Sequence, residues 1–225
     1  DNIHNFNFKE NKVIKIFKDN EYYIITLDND EKIYANKIYY SRSLEIKKEG
    51  LKQHFIGQII KTIQPHKINI ATLMDFRVTQ NEGLHFMYCL PINENQLLVE
   101  STVFSENVLP DEWYKKQIDE FIDLKLQLKQ FEVIDTERGV LPMYEIKNEN
   151  TENYINIGTR GGATKISSGY AFSFFIKQLK SNTNYHHSYW DEWMDKIFVH
   201  FLQNNHKTEH IFIKMSQSLT GDEFS

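Results

Sequence analysis

Short apolar segments separated by polar turns make up the first half of the chain. VIKIF (13–17) and YYIITL (22–27) alternate on either side of a polar turn, which predicts a β-hairpin. Further strand-like segments are KIYANKIYY (32–40), HFIGQIIKTI (54–63), ATLMDFRVTQ (71–80), LHFMYCLPI (84–92) and QLLVESTVFS (96–105). Regular short strands punctuated by polar turns predict an antiparallel sheet.

The second half of the chain changes to a helical pattern. Pro110 is followed by two acidic residues, and apolar residues then recur at helical spacing as far as Leu126. Later segments predict a strand pair at 131–144 and 153–158, and helices at 169–179, 190–202 and, more weakly, 210–219. The apolar stripe of the 190–202 segment is typical of a core helix. Strands followed by helices predict an α+β fold.

Composition limits the classes of function. The net charge of −5 disfavours a dedicated nucleic-acid surface, so we expect no nucleic-acid partner. The single cysteine, Cys89, lies in an apolar strand, which predicts a buried thiol and a reducing, cytoplasmic compartment. The nine histidines show no metal-ligand spacing, so we expect no metal site. No apolar run approaches the roughly 20 residues of a membrane-spanning helix.

One candidate for chemistry is Glu100, which follows three apolar residues in the strand-like segment LLVESTVF. A carboxyl group buried in such a strand would have a raised pKa and could act as an acid near neutral pH. Strand alternation alone also allows, and by itself favours, an ordinary glutamate that points to water.

The second candidate is the segment IGTRGGATKISSGYAF (157–172), in which a strand end passes through adjacent glycines towards a helix. Such a turn can present backbone N–H groups to a phosphate or to the polar edge of a cofactor. It can equally be a tight connection in which glycine supplies a positive φ. The residues alone leave both interpretations open.

Taken as a whole, the sequence resembles the flavin-dependent lycopene cyclase family, the lycopene beta-cyclases of carotenoid synthesis. The similarity covers about residues 35–221. It rests on segments that follow one another in the family's order: QHFIG (53–57), the block 73–105, ERGVLPM (137–143), the glycine turn 157–172 and WMDKIFVHFL (193–202). One departure is Tyr40, because the family tends to have an aspartate before the Ser-Arg pair at this point.

The resemblance implies an α+β chain, α/β in the complete protein, from an FAD-binding flavoenzyme of the hydroxylase and geranylgeranyl-reductase class. Residues 1–50 would end the FAD domain with a β-meander and a return strand. Residues 51–145 would form an antiparallel substrate-domain sheet with one helix, and residues 146–225 a late FAD-contacting turn with C-terminal helices. The dinucleotide fingerprint of this class lies near the N-terminus and is absent here. We therefore expect a fragment that retains no flavin and is inactive by itself.

The activity implied by the resemblance is the acid-initiated, non-redox cyclisation of lycopene ends to beta rings. Glu100 matches the family's carboxylate strand and is the expected acid. The cofactor would be reduced FAD, with NADPH as the reductant. The expected FAD contacts are Ser41, Arg42, Gly158, Gly161, Gly162 and Gly169. Lycopene or a related acyclic carotene would be taken from a membrane surface by peripheral contact of a cytoplasmic protein.

Two alternatives remain beside the cyclase. One is a redox flavoenzyme of the same class, either a polyprenoid reductase or a monooxygenase. The other is an inactive carotenoid-binding fragment or one half of a split enzyme. The QHFIG segment and the Glu100 strand favour the cyclase over the redox flavoenzyme, and a G-x-G-x-x-G motif on a neighbouring reading frame would identify the split enzyme.

Overall fold

The computed structural model describes residues 6–146, 150–181 and 187–204, together with the isolated positions His210 and Lys214. The strands are β1 Val13–Asp19, β2 Tyr22–Leu27, β3 Lys32–Ala35, β4 Ile38–Tyr40, β5 Lys52–Thr62, β6 Thr72–Asp75, β7 Leu84–Asn93, β8 Gln96–Ser105, β9 Phe131–Pro142 and β10 Tyr154–Asn156. The helices are α1 Asp111–Phe121, α2 Phe172–Lys180 and α3 Tyr189–Asn204, and a π-helical turn at Ile122–Leu126 continues α1.

The largest sheet has five antiparallel strands in the order β6-β7-β8-β5-β9. Side chains alternate between its two faces, so each strand contributes to two separate layers. One face packs against α1 in a cluster that includes Leu97, Val99, Val103 and Ile118. The other face packs at one end against α3 through Phe86, Phe104 and Val199. The sheet is therefore covered on the α1 side and only partly covered on the opposite side.

Two smaller sheets flank this one. Strands β1, β2 and β3 form an antiparallel meander, and β4 and β10 form a parallel pair. The register of the parallel pair joins Ile38 to Tyr154 and Tyr40 to Asn156, although more than a hundred residues of chain separate the two strands. The loops that follow β4 and β10 consequently leave the pair side by side.

Three sequence predictions need correction. The segment 32–40 is not one strand, because the chain bends at Asn36 and continues into a different sheet. The segments 131–144 and 153–158 do not pair with each other, because β9 pairs with β5 and β10 pairs with β4. The helix predicted from residue 169 begins at Phe172. Gly169 has a φ of +71° and therefore belongs to the preceding turn.

The predicted core role of the 190–202 segment is only partly correct. Phe198, Val199 and Leu202 pack against the sheet. Trp190 is 69% exposed and Trp193 is 44% exposed. The helical period was identified correctly, but the apolar stripe is wider than the surface that the described residues offer to it. Most of the segment predicted as a helix at 210–219 lies outside the described residues.

Candidate active site

Glu100 lies in the middle of β8, on the face of the large sheet that is opposite α1. Its neighbours Val99 and Ser101 point to the α1 side and are completely buried. Across the ladders, Glu100 is directly opposite Tyr88 on β7 and Gly57 on β5. The side chain is half-buried, so the exposed glutamate that alternation alone favoured is not what the structure shows.

The surroundings of Glu100 favour a protonated carboxyl group. Its pKa is raised to about 7, mainly by burial and to a smaller extent by the charge and hydrogen bonding of the neighbouring Glu137 carboxyl group. A hydrogen bond that the Thr102 hydroxyl donates to Glu100 Oε1, at 2.6 Å, acts in the opposite direction. At neutral pH about half of the Glu100 side chains therefore carry a proton that can be donated.

Apolar and aromatic side chains surround this carboxyl group on the same face. Phe86 is completely buried, and its ring lies 5.4 Å from the ring of Tyr88 in an edge-to-face contact. Half-buried neighbours on the same face are Phe55, Ile59, Leu90 and Leu98. The result is a largely apolar surface that carries a carboxyl group with a raised pKa.

Gln178 of α2 is completely buried and anchors one side of the glycine turn by hydrogen bonds. The Gly158 N–H donates to Gln178 Oε1 at 3.0 Å, and Gln178 Nε2 donates to the Gly161 carbonyl at 2.9 Å. Gly158 and Gly162 have φ values of +63° and +74°. No heavy atom among the described residues lies within 4 Å of the place where a Cβ of Gly162 would stand. The turn is thus rigid on one side and open on the other.

The loop after β4 is tied to this turn by Arg160. Its Nε and Nη2 atoms donate to the carbonyl groups of Arg42 and Ser43, each at 3.0 Å, and its guanidinium lies 4.9 Å from the Tyr40 ring centre. Ser41 and Arg42 therefore follow one strand of the parallel pair, and Gly158 follows the other. Cofactors in α/β proteins bind at the carboxyl ends of parallel strands.

Gly169 connects the turn to the sheet that carries Glu100. A Cβ at Gly169 would stand 2.1 Å from Gln53 Oε1, so only glycine allows this contact. Gln53 lies four residues before Gly57 on the same face of β5, a separation of about 13 Å along the strand. Gln53 Oε1 is buried and has no hydrogen-bond partner among the described residues, which leaves it available to a ligand donor.

A cleft of about 290 Å³ lies between the turn and α3. Its lining includes Gly161, Gly162 and Thr164 together with the carboxylates Glu145 and Glu192. Negative charge at this position disfavours a phosphate group. A cofactor that reached this cleft would have to present an uncharged part to it.

The histidines of the large sheet have structural roles. His54 and His85 are completely buried, and burial lowers the pKa of each to about 4. His85 Nδ1 donates to the Thr79 carbonyl, and its Nε2 accepts from the Ser101 hydroxyl at 2.9 Å. In the described parts of the chain, no group of three or more metal-ligand side chains comes together.

Several residues of the site were not predicted as such. Gln178 could have been noticed as a lone amide in the apolar segment FSFFIKQLK. Arg160 lies inside the glycine motif but is not a glycine. Glu137 is the first residue of the ERGVLPM segment, which predicted no role for it. Only the strand register places it near Glu100.

Comparison with known families identifies the family of this chain. A sequence model of the family described as "Lycopene cyclase protein" matches residues 3–185, which is most of the chain. The chain belongs to the lycopene cyclase family. The family predicted from the order of motifs is thereby confirmed.

Relatives of this lycopene cyclase family member are similar over short segments. A lycopene beta-cyclase of Pseudescherichia vulneris is 34% identical over 93 residues, which cover 40% of this chain and 24% of that protein. A lycopene beta-cyclase of Paracoccus sp. is 39% identical over 54 residues, 24% of this chain and 14% of that protein. The alignments thus span a quarter or less of these relatives.

Two solved structures have a similar fold. The geranylgeranyl bacteriochlorophyll reductase-like protein of Thermoplasma acidophilum has a TM-score of 0.53 at 13% identity, over 94% of this chain and 59% of that chain. The flavin-dependent brominase Bmp2 has a TM-score of 0.51 at 13% identity, over 89% of this chain and 57% of that chain. The predicted α+β fold class is confirmed, whereas the predicted domain boundaries stay predictions.

None of the helices in the described ranges is both long enough and apolar enough to cross a bilayer.

Proposed function

We propose that this chain carries the acid and part of the flavin site of a lycopene beta-cyclase. The observation that carries the proposal is the raised pKa of Glu100, about 7, on a half-buried aromatic face of a lycopene cyclase family member. The hydrocarbon substrate would be lycopene or a related acyclic carotene. It offers no polar group to polarise, so its activation requires a proton delivered in a dry environment.

The reaction would begin when protonated Glu100 gives its proton to the terminal double bond of the carotene. The neighbouring double bond attacks the resulting cation and closes a six-membered ring. Loss of a ring proton then leaves the beta end group, so protons balance and no electron is transferred. The π faces of Phe55, Phe86 and Tyr88 can stabilise the positive charge that moves along the chain.

Six residues would hold the flavin: Ser41, Arg42, Gly158, Gly161, Gly162 and Gly169. Their fit to such a cofactor rests on the open backbone at Gly162 and on the adjacent strand ends of β4 and β10. When bound, reduced FAD would supply negative charge near the developing cation, and NADPH would keep it reduced. Gly169 supports this arrangement because it brings the turn into contact with Gln53 on the face of Glu100.

Delivery of a water-insoluble carotene would require contact with a membrane surface. Tyr189, Trp190 and Trp193 form an exposed aromatic edge on the first turns of α3. Tyrosine and tryptophan side chains prefer the interface between lipid and water, so this edge supports peripheral membrane contact. Flotation with phospholipid vesicles tests it, since a Trp190→Ala and Trp193→Ala double variant should bind vesicles more weakly than the parent.

The test of the acid is the product made from lycopene. In the flavin-loaded full-length protein, Glu100→Gln should abolish ring formation, because an amide cannot protonate an alkene. Glu94→Gln provides the matched control, because Glu94 is exposed in the turn between β7 and β8. Retention of beta-carotene synthesis in Glu100→Gln at near the parent rate would exclude Glu100 as the acid.

The same product analysis distinguishes the alternative functions. A polyprenoid reductase would convert the carotene to hydrogenated products without rings, and a monooxygenase would add oxygen. A carotenoid-binding protein without activity would return lycopene unchanged. Only rings formed without a change in hydrogen content support the cyclase.

A further inference from the structure

A second carboxyl group lies beside Glu100 on the uncovered face of the large sheet. The register of three neighbouring strands sets Glu100 of β8 opposite Gly57 of β5, and Gly57 opposite Glu137 of β9. Residues directly opposite one another share a face of the sheet. The two glutamates are therefore separated by one strand, at a position where that strand has no side chain.

Gly57 is what allows the two carboxyl groups to meet. A Cβ at this position would stand 3.0 Å from Glu137 Oε1 and 3.1 Å from Glu137 Cγ. The Glu137 side chain thus lies across the bare backbone of β5 towards β8, where its carboxyl group contributes to the raised pKa of Glu100. Any larger residue at position 57 would fill this path.

We infer that Glu100 and Glu137 hold one proton between them across Gly57, with Glu137 as the positioning residue that keeps Glu100 supplied with that proton. The negative charge of a neighbouring carboxylate disfavours ionisation, so Glu137 helps to keep a proton on Glu100 at a pH where a single glutamate has lost it. The pair itself depends only on the structure. Its role in turnover rests on the proposed function.

The other groups that face Glu100 do not compete for this role. Tyr88 on β7 is neutral near pH 7, because burial, and after it the Glu100 charge, raises its pKa to about 12. Thr102 donates to the carboxylate but carries no charge. Arg138 points to the opposite face and pairs with Asp111 of α1 at 3.3 Å. Asp135, two residues before Glu137, is exposed, as is Glu137 itself, but only Glu137 contributes to the raised pKa of Glu100.

The proton balance of the proposed reaction fits such a pair. Glu100 gives its proton to carbon, which leaves two carboxylates together and makes the pair a strong acceptor. The ring proton lost in the last step returns to the pair, so one proton is present before and after each turnover. No oxidant or reductant is consumed in this sequence.

The test is the titration of Glu100 in the full-length protein, followed by infrared spectroscopy as the carbonyl band of a protonated carboxyl group. The Glu100 band is assigned by its absence in Glu100→Gln. In Glu137→Gln the pKa of Glu100 should fall, because the variant removes a negative charge and adds an amide donor. If the pKa of Glu100 falls by one unit from about 7, the protonated fraction of Glu100 at pH 7 decreases about five-fold.

Asp135→Asn is the matched control, since it removes the same charge from the same face of β9 without touching Glu100. It should leave the titration of Glu100 unchanged. Gly57→Ala should lower the pKa of Glu100 in the same direction but by less, because the new methyl group would stand about 3 Å from both Glu137 and Leu98 and would only shift the Glu137 side chain. An unchanged Glu100 titration in Glu137→Gln, or an equal change in Asp135→Asn, would overturn the inference.

Turnover provides an independent readout. If Glu137 acts through Glu100, the alkaline limb of the pH–rate profile for ring formation should move to lower pH in Glu137→Gln, with activity recovered in acid. A parent that makes no rings would contradict the proposed function but leave the infrared titration as a test of the pair. A uniform loss of activity at every pH would contradict the positioning role of Glu137.

Discussion

Replacing Glu100 with glutamine should make the protein more stable at neutral and alkaline pH, even though it removes the proposed acid. The pKa of Glu100 is raised in the folded state to about 7, whereas a glutamate in an unfolded chain titrates near ~4.3. The protonated carboxyl group therefore supports the fold fully at pH values below the unfolded pKa. That support is lost as the pH rises through the folded value.

The size of the effect follows from the difference between the two pKa values. Each pKa unit corresponds to about 1.4 kcal/mol, so ionisation of Glu100 costs the folded state about 4 kcal/mol well above pH 7. Most of this cost develops between the two pKa values. Glutamine keeps the shape, leaves an acceptor for Thr102 and adds a donor for Glu137. We expect the advantage of Glu100→Gln to grow by about 2 kcal/mol between pH 5 and pH 8.

Urea unfolding followed by tryptophan fluorescence at pH 5, 6.5 and 8 measures this quantity. Glu94→Gln, which changes an exposed glutamate in the turn between β7 and β8, controls for the loss of a surface charge. Its free energy of unfolding should differ from that of the parent by less than about 0.5 kcal/mol at every pH. A difference between Glu100→Gln and the parent that does not change with pH would refute the burial argument.

Two further predictions concern the glycine turn. The positive φ alone should lower the free energy of unfolding of Gly162→Ala and of Gly169→Ala by about 1 kcal/mol each. Gly169→Ala should cost more than about 2 kcal/mol, because its methyl group would overlap Gln53, and thermal unfolding of the two variants should separate these costs. Gln178→Ala should lower the free energy of unfolding by about 1–3 kcal/mol, because it removes the acceptor of the Gly158 N–H and the amide that donates to the Gly161 carbonyl. Equal melting temperatures for Gln178→Ala and the parent would show that water replaces the amide.

Local pattern was sufficient for elements that depend on their own residues. Alternation identified β8 with both ends correct, at residues 96–105, and placed the buried Cys89 in β7. Helical spacing identified the α1 segment, because its apolar residues pack on the sheet at helical intervals. These signals survive because a half-buried strand or helix must show its period in the sequence.

Partner choice between distant strands could not be predicted in this way. β9 and β10 lie close together in the sequence, yet β10 pairs with β4 across more than a hundred residues. For the same reason the position of Glu137 next to Glu100 could not be predicted. It depends on how β5 pairs with β8 and with β9, and on Gly57 between the two glutamates. Motif order supplied Glu100 and the glycine turn, and the structure brings the glycine turn to the sheet face of Glu100 through Gly169. The cofactor contacts assigned to the turn stay predictions.

Glycines on the uncovered face let long side chains lie flat on the sheet instead of standing up from it. Glu137 lies over Gly57, and the ring of Phe55 lies over Gly139, where a Cβ would stand 2.3 Å from the ring. Side chains that lie flat leave a shallow and even surface around Glu100. A carotene end group, as a conjugated chain, is itself flat and has no polar handle to orient it. Under the proposed function, contact along this surface would set the terminal double bond of the carotene against the Glu100 proton, and the glycines would shape that surface.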